Sequence, residues 1–161
     1  MISAHVEVLT KRHDIASFTC GDGDLNDWLH RKAMPMGGQG LNRTHLWIED
    51  ETSEILGYFA LAPTVVTLDE QMGETSPALL LAKFALCEQL RGKSPKMGPR
   101  LLVEALTIAV AAADLVGGQF LAVDAMHKAT HDFYERAGFV PVEGDPERLI
   151  QKFKAIRAAI A

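Results

Sequence analysis

The chain has 161 residues, 48% of them hydrophobic and 23% charged, with a formal net charge of −5 at pH 7. That length and composition suit one folded domain spanning residues 1–161, able to bury about two-thirds of the surface its unfolded chain exposes, and exclude collagen-like and disordered classes. The acidic balance excludes a generic polyanion binder, so a nucleic-acid contact has to come from a local basic patch. Cys20 and Cys87 show neither CxxC nor metal-ligand spacing, and "MISAHVEVLTKRHD" lacks the basic-then-apolar pattern of a secretion signal, so a reducing, cytoplasmic setting is expected.

In chain order, "HVEVLT" (His5–Thr10) alternates as a strand does. Asp22 or Asp24 is placed to cap a helix with Leu25, Trp28 and Leu29 on one face. "PMGGQGLNR" (Pro35–Arg43) reads as a glycine-rich loop, followed by a hairpin of strands Thr44–Glu49 and Ile55–Val66 around a polar turn at Asp50–Ser53. "DEQMGETSP" reads as a polar connector, and "ALLLAKFAL" (Ala78–Leu86) as a strand covered on both faces. The spacing predicts a helix over Pro99–Val116, stopped by Gly117 and Gly118. Its apolar run carries Glu104 and Asp114 and is too short to span a bilayer. "QFLAVDAM" is a buried strand, "HKATHDFYERAG" a helix closed by Gly138, and "FVPVEG" the start of a strand. The last segment, "PERLIQKFKAIRAAIA", has helical spacing at Leu149, Phe153 and Ile156. The order implies an α/β domain with a mixed sheet.

Three blocks in sequence carry a family resemblance: "LLLAKFAL", the basic glycine loop "RGKSPKMG" leading into a helix, and "LAVDAMHKATHDFYERAGFVPV". Together they resemble the GCN5-related N-acetyltransferase (GNAT) superfamily, whose pattern of aromatic-Tyr-x-x-x-Gly-Phe is matched by "FYERAGF". "FTCGDGDLNDWLHRKA", "NRTHLWIED" and "ILGYFALAP" narrow the likeness to the GNAT toxins of type II toxin–antitoxin modules. The resemblance implies a GNAT fold, with a mixed central β-sheet flanked by helices on both faces. It also implies an acetyl-CoA-dependent enzyme that acetylates the amino group of aminoacyl-tRNA and is neutralised by a ribbon-helix-helix antitoxin.

Acetyl transfer from a thioester to an amine needs a held cofactor, a deprotonated amine in line, and a proton for the leaving thiolate. The resemblance assigns the first to the main chain of Phe84, Ala85 and Leu86, which would lie against the pantetheine arm and polarise the thioester carbonyl. The diphosphate would lie on the loop before the long helix, where amide groups and the helix dipole favour anions. Aligned backwards from "LLVEAL", Gly98 takes the family's last small position and Lys96 its first glycine. Aligned forwards from the strand, Arg91, Gly92 and Lys93 match and Ser94 stands at the first glycine. The loop, which also contains Met97, is thus about two residues longer than the pattern. Pro95 and Pro99 each remove a donor, and Lys93, Lys96 and Arg100 offer charge–phosphate contacts in return. A degenerate loop that keeps the fold and loses the chemistry is the alternative.

Tyr134 matches the family's general acid. A phenol with a pKa of about 10 is protonated at neutral pH and can donate to a thiolate. Adjacent helical residues lie about 100° apart, so of Phe133 and Tyr134 one can face the core and the other the cofactor. No general base is evident, and the resemblance to the toxins implies that none is needed, water taking the proton of an aminoacyl ester's α-amino group. His127 and His131 share a helix face after Asp124, but the expectation there is a solvated polar face and no metal.

A tRNA acceptor calls for cations. Candidates are His30, Arg31 and Lys32 in "LHRKAM" and, as the best match to the toxin pattern, Arg43. Trp28 and Trp47 are weighed as base-stacking rings, with Trp28 expected in the core. A homodimer is compatible with the sequence. Two further readings keep the fold: a GNAT enzyme acting on a small amine or a protein amine, and a non-catalytic partner-binding module.

Overall fold

The computed structural model describes residues 2–69, 71–92 and 96–161. Its elements in chain order are β1 (Ala4–Val8), α1 (Gly23–Asp27), a π-helical turn (Trp28–Lys32), α2 (Ala33–Gly38), β2 (Arg43–Glu49), β3 (Ile55–Asp69), β4 (Glu74–Leu86), α3 (Met97–Val116), β5 (Phe120–Asp124), α4 (Lys128–Arg136), β6 (Val140–Val142), β7 (Asp145–Lys152) and α5 (Phe153–Ile160). The strands form a mixed sheet in the order β1–β2–β3–β4–β5–β7–β6. Only β4 and β5 run parallel among the described pairings, as a βα crossover through α3 requires. Among the described residues no helix is long and apolar enough to cross a membrane.

The chain divides into two compact units, one holding residues up to Leu61 and Lys83–Ala105, the other Ala62–Ala82 and Leu106–Ala161. In the first, β2 lies between β1 and β3, antiparallel to both. Side chains alternate along β3. Tyr58 and Ala60 join Trp28, Leu29, Ala33 and Leu46 in one core, while Gly57 meets Leu101 of α3, so helices cover both sheet faces. Asp22 caps α1: its Oδ1 accepts from the amides of Asp24 at 2.9 Å and Leu25 at 3.3 Å. The helix runs on past the expected stop. The Ala33 amide reaches back to the Trp28 carbonyl, a π-type bond, and Pro35 follows inside the first turn of α2. Pro35–Gly38 is therefore helical, not loop.

In the second unit, Val66, Ala78, Phe120 and Ala122 form a core with Leu80, Val142 and Ile150. β4 begins at Glu74, four residues before the apolar run, because the polar connector supplies its first pairing residues. The larger departure is at the C-terminus. Leu149 belongs to a strand: β7 pairs with β5 (Val123↔Leu149) on one edge and β6 (Pro141↔Leu149) on the other, and only Phe153–Ile160 is helical. Main-chain bonds along two edges outweigh the weak helical periodicity of this segment. α3 starts at Met97, two residues before the expected Pro99.

Candidate active site

Phe84–Leu86, the stretch expected from the sequence to lie against the cofactor, falls in the first unit, and Ala78–Ala82 of the same strand fall in the second. The β4–β5 register covers Ala78–Leu81 against Phe120–Val123, and β4 continues to Leu86. Phe84 and Leu86 are half-buried and Ala85 is buried. The Cys87 amide donates to the Leu56 carbonyl at 2.7 Å, fixing the strand end against β3. A Cβ on Gly57 would stand 2.9 Å from the Ala85 carbonyl oxygen and 2.8 Å from Leu101 Cδ2, so the backbone of Ala85 is seated where only glycine leaves room.

The loop that follows is expected from the sequence to hold the diphosphate. Arg91 donates from Nη1 to the Cys20 carbonyl, which ties its guanidinium to the segment just before α1. Gly92 takes φ +75°, the left-handed region glycine enters without strain. Lys93 and Ser94 lie outside the described residues. Lys96 is exposed, Met97 buried and Gly98 half-buried; the first turn of α3 offers the amides of Met97 and Gly98, Pro99 having none. Arg100 is turned elsewhere: its guanidinium sits 5.4 Å over the Trp47 ring and donates to the Ile2 carbonyl at 3.1 Å. Of the loop cations, Arg91 and Arg100 thus each donate to a protein carbonyl.

On the acceptor side, Arg31, Lys32 and Arg43 are all exposed, the first two on the π turn and the third at the start of β2. Trp28 and Trp47 are 7% and 0% exposed, so both belong to the core and neither presents a face to a base. Sequence reasoning passed over three neighbours of Arg43. Asn42, Thr44 and His45 are buried, and Asn42 Oδ1, Thr44 Oγ1 and His45 Nδ1 have no hydrogen-bond partner among the described residues. It also passed over Lys83, hidden in an apolar run, whose Nζ lies 5.7 Å from the Trp28 ring centroid.

Burial, aided by the Arg43 charge, pushes the His45 pKa down to about 4, and the ring stacks on Phe59 at 5.1 Å. A histidine with a folded pKa below its unfolded value of 6.5 favours folding in full above pH 6.5 and loses that contribution as pH falls towards 4. At pH 4 the loss is about 3 kcal/mol. Denaturant titrations at pH 7 and pH 4 should show this extra acid sensitivity in the wild type and its absence in His45→Phe. Equal acid sensitivity in the two would remove the assignment.

Tyr134 lies in the second unit, on α4, 4% exposed. The helix ends in a Schellman motif: the Phe139 amide donates to the Tyr134 carbonyl at 3.1 Å and the Gly138 amide to the Glu135 carbonyl at 3.0 Å, with Gly138 at φ +100°. The motif's apolar contact is the Tyr134–Phe139 ring pair, edge to face at 5.6 Å. Tyr134, not the half-buried Phe133, is the inward member of the pair, and burial pushes its phenol pKa up. On the outer face His131, Asp132 and Glu135 bring ligand-type atoms within 4.8 Å. They are spent on neighbours: His131 on Glu135 at 2.8 Å and Asp132 on Lys128 at 3.0 Å.

No family model matches the chain. In sequence it is similar to a tRNA-acetylating toxin of Mycobacterium tuberculosis (strain ATCC 25618 / H37Rv), 29% identical over 154 residues that cover 91% of this chain and 90% of the relative. In structure it is similar to the toxin AtaT complexed with acetyl-methionyl-tRNAfMet, with a TM-score of 0.84, 22% identity and coverage of 99% and 100%. It also matches an AtaT mutant bound to acetyl-CoA and the C-terminus of the antitoxin AtaR, with a TM-score of 0.82, 24% identity and coverage of 98% and 97%. The chain has the GNAT fold of these toxins. The likeness in fold covers nearly the whole chain, including the β7–α5 end that sequence periodicity misassigned.

Proposed function

We propose that this chain is an acetyl-CoA-dependent N-acetyltransferase that acetylates the amino group of aminoacyl-tRNA and so blocks translation. The observation that carries the reading is the likeness, end to end in sequence, to a relative that acetylates tRNA, joined to a fold shared with toxins solved with acetyl-CoA and with acetylated aminoacyl-tRNA.

The residues present fit the cofactor. β4 runs past its last registered partner on β5, so the main chain along Phe84, Ala85 and Leu86 has an edge that suits a pantetheine arm, and the glycine-bent loop ends at the N-terminus of a 20-residue helix. Acetyl-CoA, when bound, supplies the thioester that an amine attacks. In this reading a β4 amide polarises the carbonyl, and the amides of Met97 and Gly98 with the Lys96 ammonium hold the diphosphate. Gly92 supplies the bend. Arg91 acts by anchoring the loop to Cys20, a positioning role rather than direct phosphate binding. The Tyr134 phenol, held protonated by burial, gives its proton to the departing sulfur. Arg43, Arg31 and Lys32 meet the phosphates of the acceptor.

The same proposal includes a DNA-binding antitoxin of the ribbon-helix-helix type, a homodimer of the toxin and a cytoplasmic site of action. An antitoxin partner is supported by the AtaT neighbour bound to AtaR and by another described as an AtaT–AtaR complex bound to DNA. Incubation with labelled acetyl-CoA and bulk aminoacyl-tRNA should place label on the charged tRNA, removable with the aminoacyl ester by mild alkali. Label on free amines or proteins alone would overturn the acceptor, and no calorimetric heat at high micromolar acetyl-CoA would overturn the enzyme.

A further inference from the structure

Lys83 is a half-buried cation on β4, immediately before the Phe84–Leu86 segment. No carboxylate pairs with it among the described residues, although the chain has 21 Asp and Glu. Its one described interaction is with the indole of Trp28, 5.7 Å from the ring centroid. That indole is locked in place. It stacks on Tyr58 at 6.0 Å with an interplanar angle of 5°, and the Tyr58 hydroxyl donates to the Leu25 carbonyl of α1 at 2.8 Å. An ammonium on a ring face is attracted by about 0.5–2 kcal/mol but keeps its N–H groups for an anion. A carboxylate in their place would have neutralised it.

The same π turn that begins with Trp28 continues through His30, Arg31 and Lys32, all three exposed. The Lys83–Trp28 contact therefore brings a cation from the cofactor strand to the basic turn of the acceptor side, a concentration of positive charge in a molecule of net charge −5. We propose that Lys83 binds a phosphodiester of the nucleic-acid acceptor beside the acetyl-bearing strand, with Trp28 as the platform that holds the ammonium in place. This rests on the proposed function and adds to it the residue that seats the reacting end of the acceptor. A phosphate could also come from the cofactor. The acceptor is favoured because Lys83 reaches the Trp28 turn, whereas the diphosphate loop begins only after Leu86.

The test uses Lys83→Met, which keeps the aliphatic stem, and Lys83→Arg, which keeps the charge. Steady-state transfer to bulk aminoacyl-tRNA is measured between about 50 and 200 mM salt, with acetyl-CoA affinity by calorimetry and a melting curve for each variant. Lys83→Met should raise KM for aminoacyl-tRNA about tenfold and leave kcat and acetyl-CoA affinity within twofold. The slope of log kcat/KM against log salt should become shallower by about 0.7–0.9, the signature of one lost phosphate contact. Lys83→Arg should restore the wild-type slope. An unchanged salt slope in Lys83→Met would overturn the proposal, as would weakened acetyl-CoA binding with unchanged KM for the tRNA. If Lys83→Met does not fold, Lys83→Gln replaces it and the same two outcomes decide. Absence of transfer by the wild type would instead count against the proposed function, so the two failures are distinguishable.

Discussion

Replacing Tyr134 by phenylalanine is expected to slow acetyl transfer by about two to four orders of magnitude, the range a positioned general acid contributes. The change removes one oxygen and keeps the ring. The Schellman contact with Phe139 and the packing of α4 on which the fold depends should therefore persist, and acetyl-CoA affinity should stay within a few-fold of wild type. Burial raises the phenol's pKa above the ordinary value of 10, so the wild type should show no alkaline loss of rate from this group below that pH. A phenylalanine variant with wild-type turnover would end Tyr134's role as the acid. One that lost acetyl-CoA binding in proportion to rate would make it a cofactor-binding residue instead. Single-turnover transfer rates and calorimetric titrations on the same preparation separate these outcomes.

The motif that identified Tyr134 was legible because its physics is local. In "FYERAGF" the glycine provides the left-handed residue after the helix, and the tyrosine and final phenylalanine stand where that cap closes an apolar contact. Backbone sterics and one ring pair within six residues leave a pattern that any reader of the chain can find. The same holds for Asp22, which caps α1 through amides two and three residues on.

What stayed illegible depends on distant partners. Nothing near Leu149 announces that β5 and β6 will flank it, so its helical spacing with Phe153 misleads. Arg91 is drawn to Cys20, 71 positions away, and Arg100 to Ile2, 98 positions away, contacts that no residue of the loop itself announces. Lys83 reads as an interruption of an apolar strand until Trp28 arrives from another element to receive it. His45 follows Arg43 and Thr44 in what looks like a half-exposed strand start, and only its burial in the folded chain shows that the ring favours the neutral form. Local chemistry marks Tyr134, the proposed acid, and the helix ends, and tertiary chemistry sets which neighbours each cation meets.

Gly57→Ala tests the seat of the cofactor strand. Alanine in a strand ordinarily gains about 0.5–1 kcal/mol over glycine through the unfolded state, and Gly57 is not among the residues at positive φ, so backbone conformation alone predicts stabilisation. The space decides otherwise. The new methyl would lie 2.8 Å from Leu101 Cδ2, which can turn away, and 2.9 Å from the Ala85 carbonyl oxygen, which cannot move without its strand. Overpacking of this kind costs about 1–3 kcal/mol, or a melting point lower by roughly 3–10 °C in a chain of this size. Relief requires β4 to shift at Ala85, between the two other residues whose amides are proposed to hold the pantetheine and polarise the thioester. Acetyl-CoA affinity should therefore fall at least tenfold even at temperatures where the variant is fully folded. Gly38→Ala is the control: nothing lies within 4 Å of its Cβ position, and the residue is helical, so melting and cofactor affinity should equal or exceed wild type. A Gly57→Ala protein that melted with the wild type would show that Leu101 and the strand yield freely. One that lost stability while binding acetyl-CoA normally would detach Ala85 from the cofactor.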